Sequence, residues 1–330
     1  MSDPSQAILF KEILNNNEQN SLEKLLGDAF KVPKGSSFYD DFPVWNRRLG
    51  AKIVQIGAFS GNDLVASASG RIANLKVPTG TLPIGIVGGV VTETEWRGKG
   101  LASSCVSQVL TWLQSNGAAF ALLWGSEHSL YRRLGFELCG SQIRIPLKDL
   151  SGEQINISQI NIRTGWTDFL FDRLKQRQYG LALTDKDRSW FSAHKNVVWW
   201  WVGEEHNIQA YAAVGRGIDL GGLVHEWGGE RTALLALLKK IQATNPGLEL
   251  LGTPSVFTQY MFNYSGYKSE HLCMAKVFDV EKTLKTHIPG KTITLPDNLS
   301  ELEIVQALFG PDKHQENLPL PLWIWGLDAA

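Results

Sequence analysis

The chain has 330 residues, 43% of them hydrophobic and 20% charged, which excludes wholesale disorder and, at about 150 residues per domain, leaves length for roughly two. Its 32 Lys and Arg offset 33 Asp and Glu to a net charge of −1, so there is no bulk attraction to nucleic acid, and no apolar run approaches the about eighteen residues that span a bilayer. Residues 1–10 lack a basic segment followed by an apolar one, so no signal peptide is expected, and Cys105, Cys139 and Cys273 are too widely spaced for a metal motif and suit a reducing cytoplasm.

Taken in order, residues 7–14 have strand character and 15–20 form a polar turn. Residues 21–30 place Leu22, Leu25, Leu26 and Phe30 on one helical face. A polar and aromatic stretch, 36–48, precedes three strand-like runs at 52–59, 64–72 and 82–92. Residues 60–63 (Ser-Gly-Asn-Asp) turn between the first two. A helix is expected over 102–115, a buried strand over 118–124, a short helix over 129–134 closed by Gly135, and a strand over 136–146. This order implies a mixed sheet with helices packed on it.

The second half repeats the order. Strands are expected at 157–163, 197–202, 208–214, 222–227, 248–251 and 267–278, with helices at 167–176, 231–243 and 256–264. Two local matches accompany the shared order: Glu95-Trp96-Arg97-Gly98 against Glu226-Trp227-Gly228-Gly229, and Leu134-Gly135-Phe136 against Ser265-Gly266-Tyr267. The expected organisation is therefore two similar α/β units, 1–150 and 151–285, followed by a C-terminal segment, 286–330. In that segment Ser300 and Glu303 form a capping-box pattern for a helix over 300–309. The apolar end, 318–327, is expected to pack on the units, either beside a substrate pocket or as a clasp.

Chemistry concentrates in Arg97-Gly98-Lys99-Gly100-Leu101-Ala102, between a strand and a helix. Backbone N–H groups and the helix dipole favour an anion there, two glycines allow close approach and unusual torsions, and two cations add charge. About thirty residues later comes Leu130-Tyr131-Arg132-Arg133-Leu134-Gly135-Phe136. The pattern Arg-x-x-Gly-x-Ala opening a helix, followed at this distance by a Tyr on a short helix before Gly-Phe, resembles the GNAT superfamily of N-acetyltransferases over residues 5–147. With Trp124-Gly125-Ser126-Glu127 it is more narrowly similar to the enhanced-intracellular-survival (Eis) group, which carries two tandem GNAT domains and a third, sterol-carrier-like domain. The tail, about 45 residues, is too short for the whole of that third domain.

The resemblance implies a cytoplasmic acyltransferase with two tandem GNAT-like domains. Acetyl-CoA would be its co-substrate, with no metal, and a small-molecule or peptide amine its acceptor; no nucleic acid or membrane partner is implied, and an oligomer is compatible with it. It further implies that Arg97, Gly98, Lys99, Gly100, Leu101 and Ala102 hold the pyrophosphate, and that Val90, Val91 and Thr92 offer backbone to the pantetheine arm where their strand splays from the next. Tyr131 would be the general acid. Alternatives are a longer acyl group, or a non-catalytic acyl-CoA sensor. The base stays open among Glu93, Glu95, Glu127, Asp40 and Asp41, and the resembled group also uses the chain's own C-terminal carboxylate. Glu230 and Phe262 stand in the second half where a pyrophosphate and a Tyr would be needed, which predicts that this half is degenerate. The run Trp199-Trp200-Trp201 reads chiefly as core, otherwise as a pocket wall, and His225-Glu226 as a strand end and cap.

Overall fold

Long alternating runs in each half fold as antiparallel meanders, and the computed structural model describes them within residues 7–151, 159–260, 263–291, 293–311 and 317–329. The first half begins with β1 (Ile8–Glu12) and α1 (Asn16–Ala29). The polar turn expected at 15–20 is instead the first turn of α1. The Asn15 side chain accepts from Glu18 N at 3.0 Å while the Glu18 carboxylate accepts from Asn15 N, a capping box that turns polar residues into a helix start. Three 3₁₀ turns, Phe38–Asp40, Pro43–Trp45 and Arg47–Leu49, precede β2 (Ile53–Ser60), β3 (Asp63–Val77) and β4 (Gly80–Thr92). Then follow α2 (Leu101–Ser115), β5 (Phe120–Leu123), α3 (His128–Arg132), β6 (Glu137–Cys139), β7 (Gln142–Pro146) and β8 (Leu150–Ser151). Helix α2 lies close on the sheet because glycines receive it. A Cβ on Gly70 would stand 2.4 Å from Val109, and one on Gly85 would stand 2.7 Å from Leu113.

The second half runs β9 (Ile160–Thr164), α4 (Phe171–Lys175), α5 (Arg188–Phe191), β10 (Val198–Glu204), β11 (Asn207–Arg216), β12 (Asp219–Gly229) and α6 (Arg231–Thr244). It continues through β13 (Glu249–Gly252), α7 (Pro254–Tyr260), β14 (Asn263–Tyr264), β15 (Lys268–Glu270) and β16 (Cys273–Val277). Two helices follow, α8 (Val280–His287) and α9 (Glu301–Phe309). Sequence periodicity missed α8. Its start is fixed by Asp279, whose carboxylate accepts from Lys282 N at 2.8 Å.

Two seven-stranded mixed sheets result, with orders β1-β2-β3-β4-β5-β16-β6 and β15-β7-β13-β12-β11-β10-β9. The halves exchange strands. β16 comes from the second half yet lies between β5 and β6, and β7 comes from the first half yet lies between β13 and β15. The runs 136–146 and 267–278, each expected as one strand, are thus two strands apiece, one in each sheet. Gly140, at φ +64, breaks the first run. The sheets therefore do not divide at residue 150. A small ladder, β8 with β14, adds a further link between the halves. No helix among the described residues is long and apolar enough to cross a membrane.

Candidate active site

The site grows from a defect in the first sheet. Across β3 and β4, Ser67 pairs with Val91 and Ser69 with Gly88, so Gly89 and Val90 together face the single residue Ala68. Gly89 takes φ +57, a torsion that glycine adopts without strain, and the Ser67 hydroxyl donates to its carbonyl at 3.3 Å. On its other edge β4 pairs in parallel with β5 only from Gly85–Ala121 to Val87–Leu123. Beyond that point the strands part. The β4 edge carrying Val90, Val91 and Thr92 therefore faces β5 with no ladder.

The gap leads to the glycine-rich loop. A 3₁₀ turn, Thr94–Trp96, buries the Trp96 ring, and Lys99 Nζ sits 4.1 Å over that ring. Gly98 and Gly100 have φ +76 and +77, with open space where a Cβ would stand. Gly100 is the N-cap of the fifteen-residue α2; it provides no side-chain acceptor, and no acidic residue occupies the first turn. The first N–H groups of a helix lack partners within it, so those of Leu101 and Ala102 are free for an external acceptor beside the exposed Arg97. Positive dipole, free donors and two cations meet at one place, the requirements of a phosphate cradle.

Tyr131 projects from α3 at the end of β5. It is 7% exposed and packs edge-on to Phe136 at 6.2 Å. Its ring lies so close to Gly125 that a Cβ there would stand 2.8 Å from Cε2 and 3.2 Å from the hydroxyl. Burial pushes the phenol's pKa up, and the Glu127 charge adds to this, so the hydroxyl keeps its proton at neutral pH.

The other sequence candidates separate. Asp40 closes its own turn with Ser37 and pairs with Lys195 at 2.7 Å. Asp41, 3% exposed, accepts from Asn196 Nδ2 at 2.6 Å and Ile218 N at 2.9 Å, tying the halves together. The stretch 36–48, expected as polar and aromatic, packs largely inward. It buries Phe38, Tyr39, Phe42, Val44 and Trp45, and a Cβ on Gly88 would stand 2.6 Å from the Trp45 ring. Sequence reasoning missed Trp45 as the residue filling the far face of the bulge; the aromatic spacing within 38–45 was the available signal. Glu93 lies at the mouth, directly after Thr92, and its carboxyl is pushed up by partial burial and by the charges of Asp63 and Glu95. Trp199 and Trp201 sit in the second-half core, edge-on to Trp166 at 6.1 Å and Phe169 at 5.2 Å respectively.

The corresponding gap of the second sheet is filled. β12 and β13 pair only at Leu223–Glu249 and Val224–Leu250. Trp227 occupies the opening: its Nε1 donates to Leu251 O at 2.7 Å, and its ring stacks on Phe257 at 5.5 Å. The local match of Glu95–Gly98 with Glu226–Gly229 fails in three dimensions, because Trp96 lies in a turn beyond its strand and Trp227 within its strand. Gly135 and Gly266 each stand two residues before β6 or β15, but only Gly135 has a positive φ, +85. At α6 the N-cap is Glu230, an acid. Phe262 lies outside the described residues.

The chain's end closes over the halves. Trp323, Ile324, Trp325 and Leu327 are buried, and Asp328 is fully so. Asp328 accepts from Arg177 Nη2 at 2.9 Å, and its carbonyl accepts from Arg71 of β3. Arg177 also pairs with Glu226, which accepts from Leu327 N at 2.7 Å. Arg216 holds the carbonyls of Gly326 and Ala329. The terminal carboxylate, on Ala330, lies outside the described residues. Among the described residues no three His, Cys, Asp or Glu side chains gather as a metal site would require.

Residues 13–139 match the family model described as "Acetyltransferase (GNAT) domain". Among solved structures, the chain resembles a probable N-acyltransferase from Enterococcus faecalis, with TM-score 0.62 and 15% identity over 85% of this chain and 75% of that one. It also resembles a GCN5-related N-acetyltransferase from Anabaena variabilis, with TM-score 0.61 and 14% identity over 85% and 75%. A third is Eis1 from Mycobacterium abscessus, with TM-score 0.56 and 15% identity over 85% and 76%. At such identities the likeness is one of fold. No curated protein matches the chain in sequence.

Proposed function

We propose, from the match of residues 13–139 to a GNAT acetyltransferase domain, that the chain moves an acetyl group from acetyl-CoA to a primary amine in the cleft between β4 and β5. The observation that carries the proposal is the continuity of that cleft. An unladdered strand edge runs through two positive-φ glycines into an uncapped helix N-terminus, with a buried, protonated Tyr at the end of the facing strand.

The residues fit acetyl-CoA. The backbone of Val90, Val91 and Thr92 offers the pantetheine arm the pairing an added strand would make. The N–H groups from Gly98 to Ala102, with Arg97 and Lys99, suit its pyrophosphate. Bound there, the co-substrate supplies a thioester whose carbonyl carbon an uncharged amine attacks, breaking the carbon–sulfur bond. Tyr131 holds the proton that the departing thiolate needs. A phenol near pKa 10 or above gives a proton to a thiolate of about 8.5 only in close contact, and the Gly125 contact fixes the ring for that purpose. Glu93, with its raised proton affinity at the cleft mouth, suits removal of the amine's proton. Polyamines, aminoglycoside-like compounds and peptide lysines are the acceptor classes to try. The test is coenzyme A release by the purified chain across such a panel, with the product's added acetyl mass read by mass spectrometry. Turnover with at least one amine is expected; binding of acetyl-CoA with no release across the panel would make the chain a sensor instead.

A further inference from the structure

The strand exchange sets two thiols against each other. Cys139 ends β6, Cys273 begins β16, and the two residues stand directly opposite in the antiparallel register, although 134 positions separate them in the chain. Their sulfurs are 3.7 Å apart and both thiols are free and buried. Residues opposite one another in an antiparallel pair have Cα atoms about 4.5–5.5 Å apart, inside the range of about 4.4–6.8 Å that a disulfide spans. Side-chain rotation that brings the sulfurs ~1.7 Å closer, to bond length, closes the bridge without rebuilding the backbone.

We propose that Cys139 and Cys273 are a modification site: a dithiol that a small-molecule disulfide converts to an intramolecular disulfide, fastening the exchanged strand β16 to β6. A cavity of about 300 Å³ lined by Trp124, Gly125, His128, His271, Cys273 and Met274 gives the oxidant its approach to Cys273. The Cys273 sulfur, as thiolate, attacks the small disulfide; its S–S bond breaks, one small thiolate leaves, and a mixed disulfide forms on Cys273. The Cys139 thiol then loses its proton and attacks the Cys273 sulfur, releasing the second small thiol. Two protein thiols are oxidised and one small disulfide is reduced to two thiols. Burial raises the Cys273 pKa, with the neighbouring Cys139 adding to the effect, so the first attack is slow near neutral pH and quicker in mild alkali. Cys105, buried on α2 and pushed up to about 12, has no thiol neighbour and serves as an internal control.

The experiment incubates the whole purified chain with oxidised glutathione, quenches with acid, and counts thiols after denaturation. The count should fall from three to one and return to three with dithiothreitol. Peptide mapping should link the segments containing residues 139 and 273. Because the bridge would close a long loop around the second half, the oxidised chain should melt several degrees higher. In Cys139→Ser the reaction should stop at a glutathione adduct on Cys273; if that variant does not fold, the wild-type map decides alone. Three thiols persisting, a stable adduct in the wild type without the internal link, a link through Cys105, or a lowered melting temperature would each overturn the proposal.

Discussion

The same strand pair opens in both halves of this molecule, and a Trp ring bonds across only one of the two openings. In the first half β4 and β5 part after Val87 and Leu123, and the space continues to Gly98, Gly100 and the bare N-terminus of α2. In the second, β12 and β13 part after Val224 and Leu250, and Trp227 bonds to Leu251 O across the gap while an acid, Glu230, stands at the N-cap position of α6. The repeated fold opens this strand pair twice, and in the second half a Trp ring and an acid stand at the opening. The second half contributes to the assembly in other ways, through an exchanged strand, the Asp41 contacts and the buried charges that hold the chain's end.

The largest expected effect lies on the open side. Tyr131→Phe should lower kcat about 10²–10⁴-fold, the usual worth of a general acid, while the affinity for acetyl-CoA changes little because the ring still packs on Phe136. Steady-state kinetics with the best amine, alongside direct binding, separates the two quantities. Unchanged turnover, with chemistry shown to limit the rate, would remove Tyr131 from the acid role.

The next effect belongs to the joint between the halves. Asp328→Asn takes from Arg177 one of its two fully buried carboxylate partners and leaves Glu226, while the backbone carbonyl that accepts from Arg71 is unchanged. Breaking a buried pair typically costs about 3–5 kcal/mol when the remaining charge is left alone, and with Glu226 still paired to Arg177 the low end, about 3 kcal/mol, is expected. Urea unfolding should show a loss of that order. If the folded variant also loses turnover under stabilising conditions, the tail serves the pocket as well as the joint; a loss within about 0.5 kcal/mol would contradict the central place given to the network.

A smaller effect distinguishes the halves by pH. His194, His225 and His287 are buried, and all lie beyond residue 190, whereas His128 of the first half is only partly covered. Burial, with the Arg216 charge adding to it, pushes His194 down to about 3 while its ring bonds to Phe191 O at 3.0 Å. The folded pKa is depressed, so between about 6.5 and 3 the unfolded chain binds the proton that the folded chain refuses. Stability is therefore lost as pH falls through that window, by about 2 kcal/mol between pH 7 and 5 from this residue. His194→Gln, whose amide can keep the bond to Phe191, should flatten that slope in urea melts at the two pH values. An unchanged slope would show that His194 is not the group responsible.

The elements that place the cleft could be read in the sequence because their signals are local. Gly98 and Gly100 mark the loop, Val106, Val109 and Leu113 mark the buried face of α2, and Tyr131 precedes Gly135-Phe136 at readable spacing. The exchange of β7 and β16 was not legible, because alternation reports that residues 136–146 are extended and not which sheet they join; only the break at Gly140 hints at two strands. Trp227 was likewise hidden. Its neighbours Glu226 and Gly228 imitate the Glu95–Gly98 segment, and only the bond to Leu251, 24 residues on, shows that the ring fills a gap. Asp40 and Asp41 looked like candidate bases because sequence cannot show that Lys195, Asn196 and Ile218 already hold them.

The most direct test of the comparison is titration calorimetry of the whole chain with acetyl-CoA. One site per chain is expected, and Gly100→Glu should weaken binding by on the order of 100-fold or more, since a side chain at φ +77 is strained and its charge would stand where the phosphates bind. Two equivalent sites in the wild type, or a full-affinity site surviving in Gly100→Glu, would contradict the claim that the first half alone holds the co-substrate.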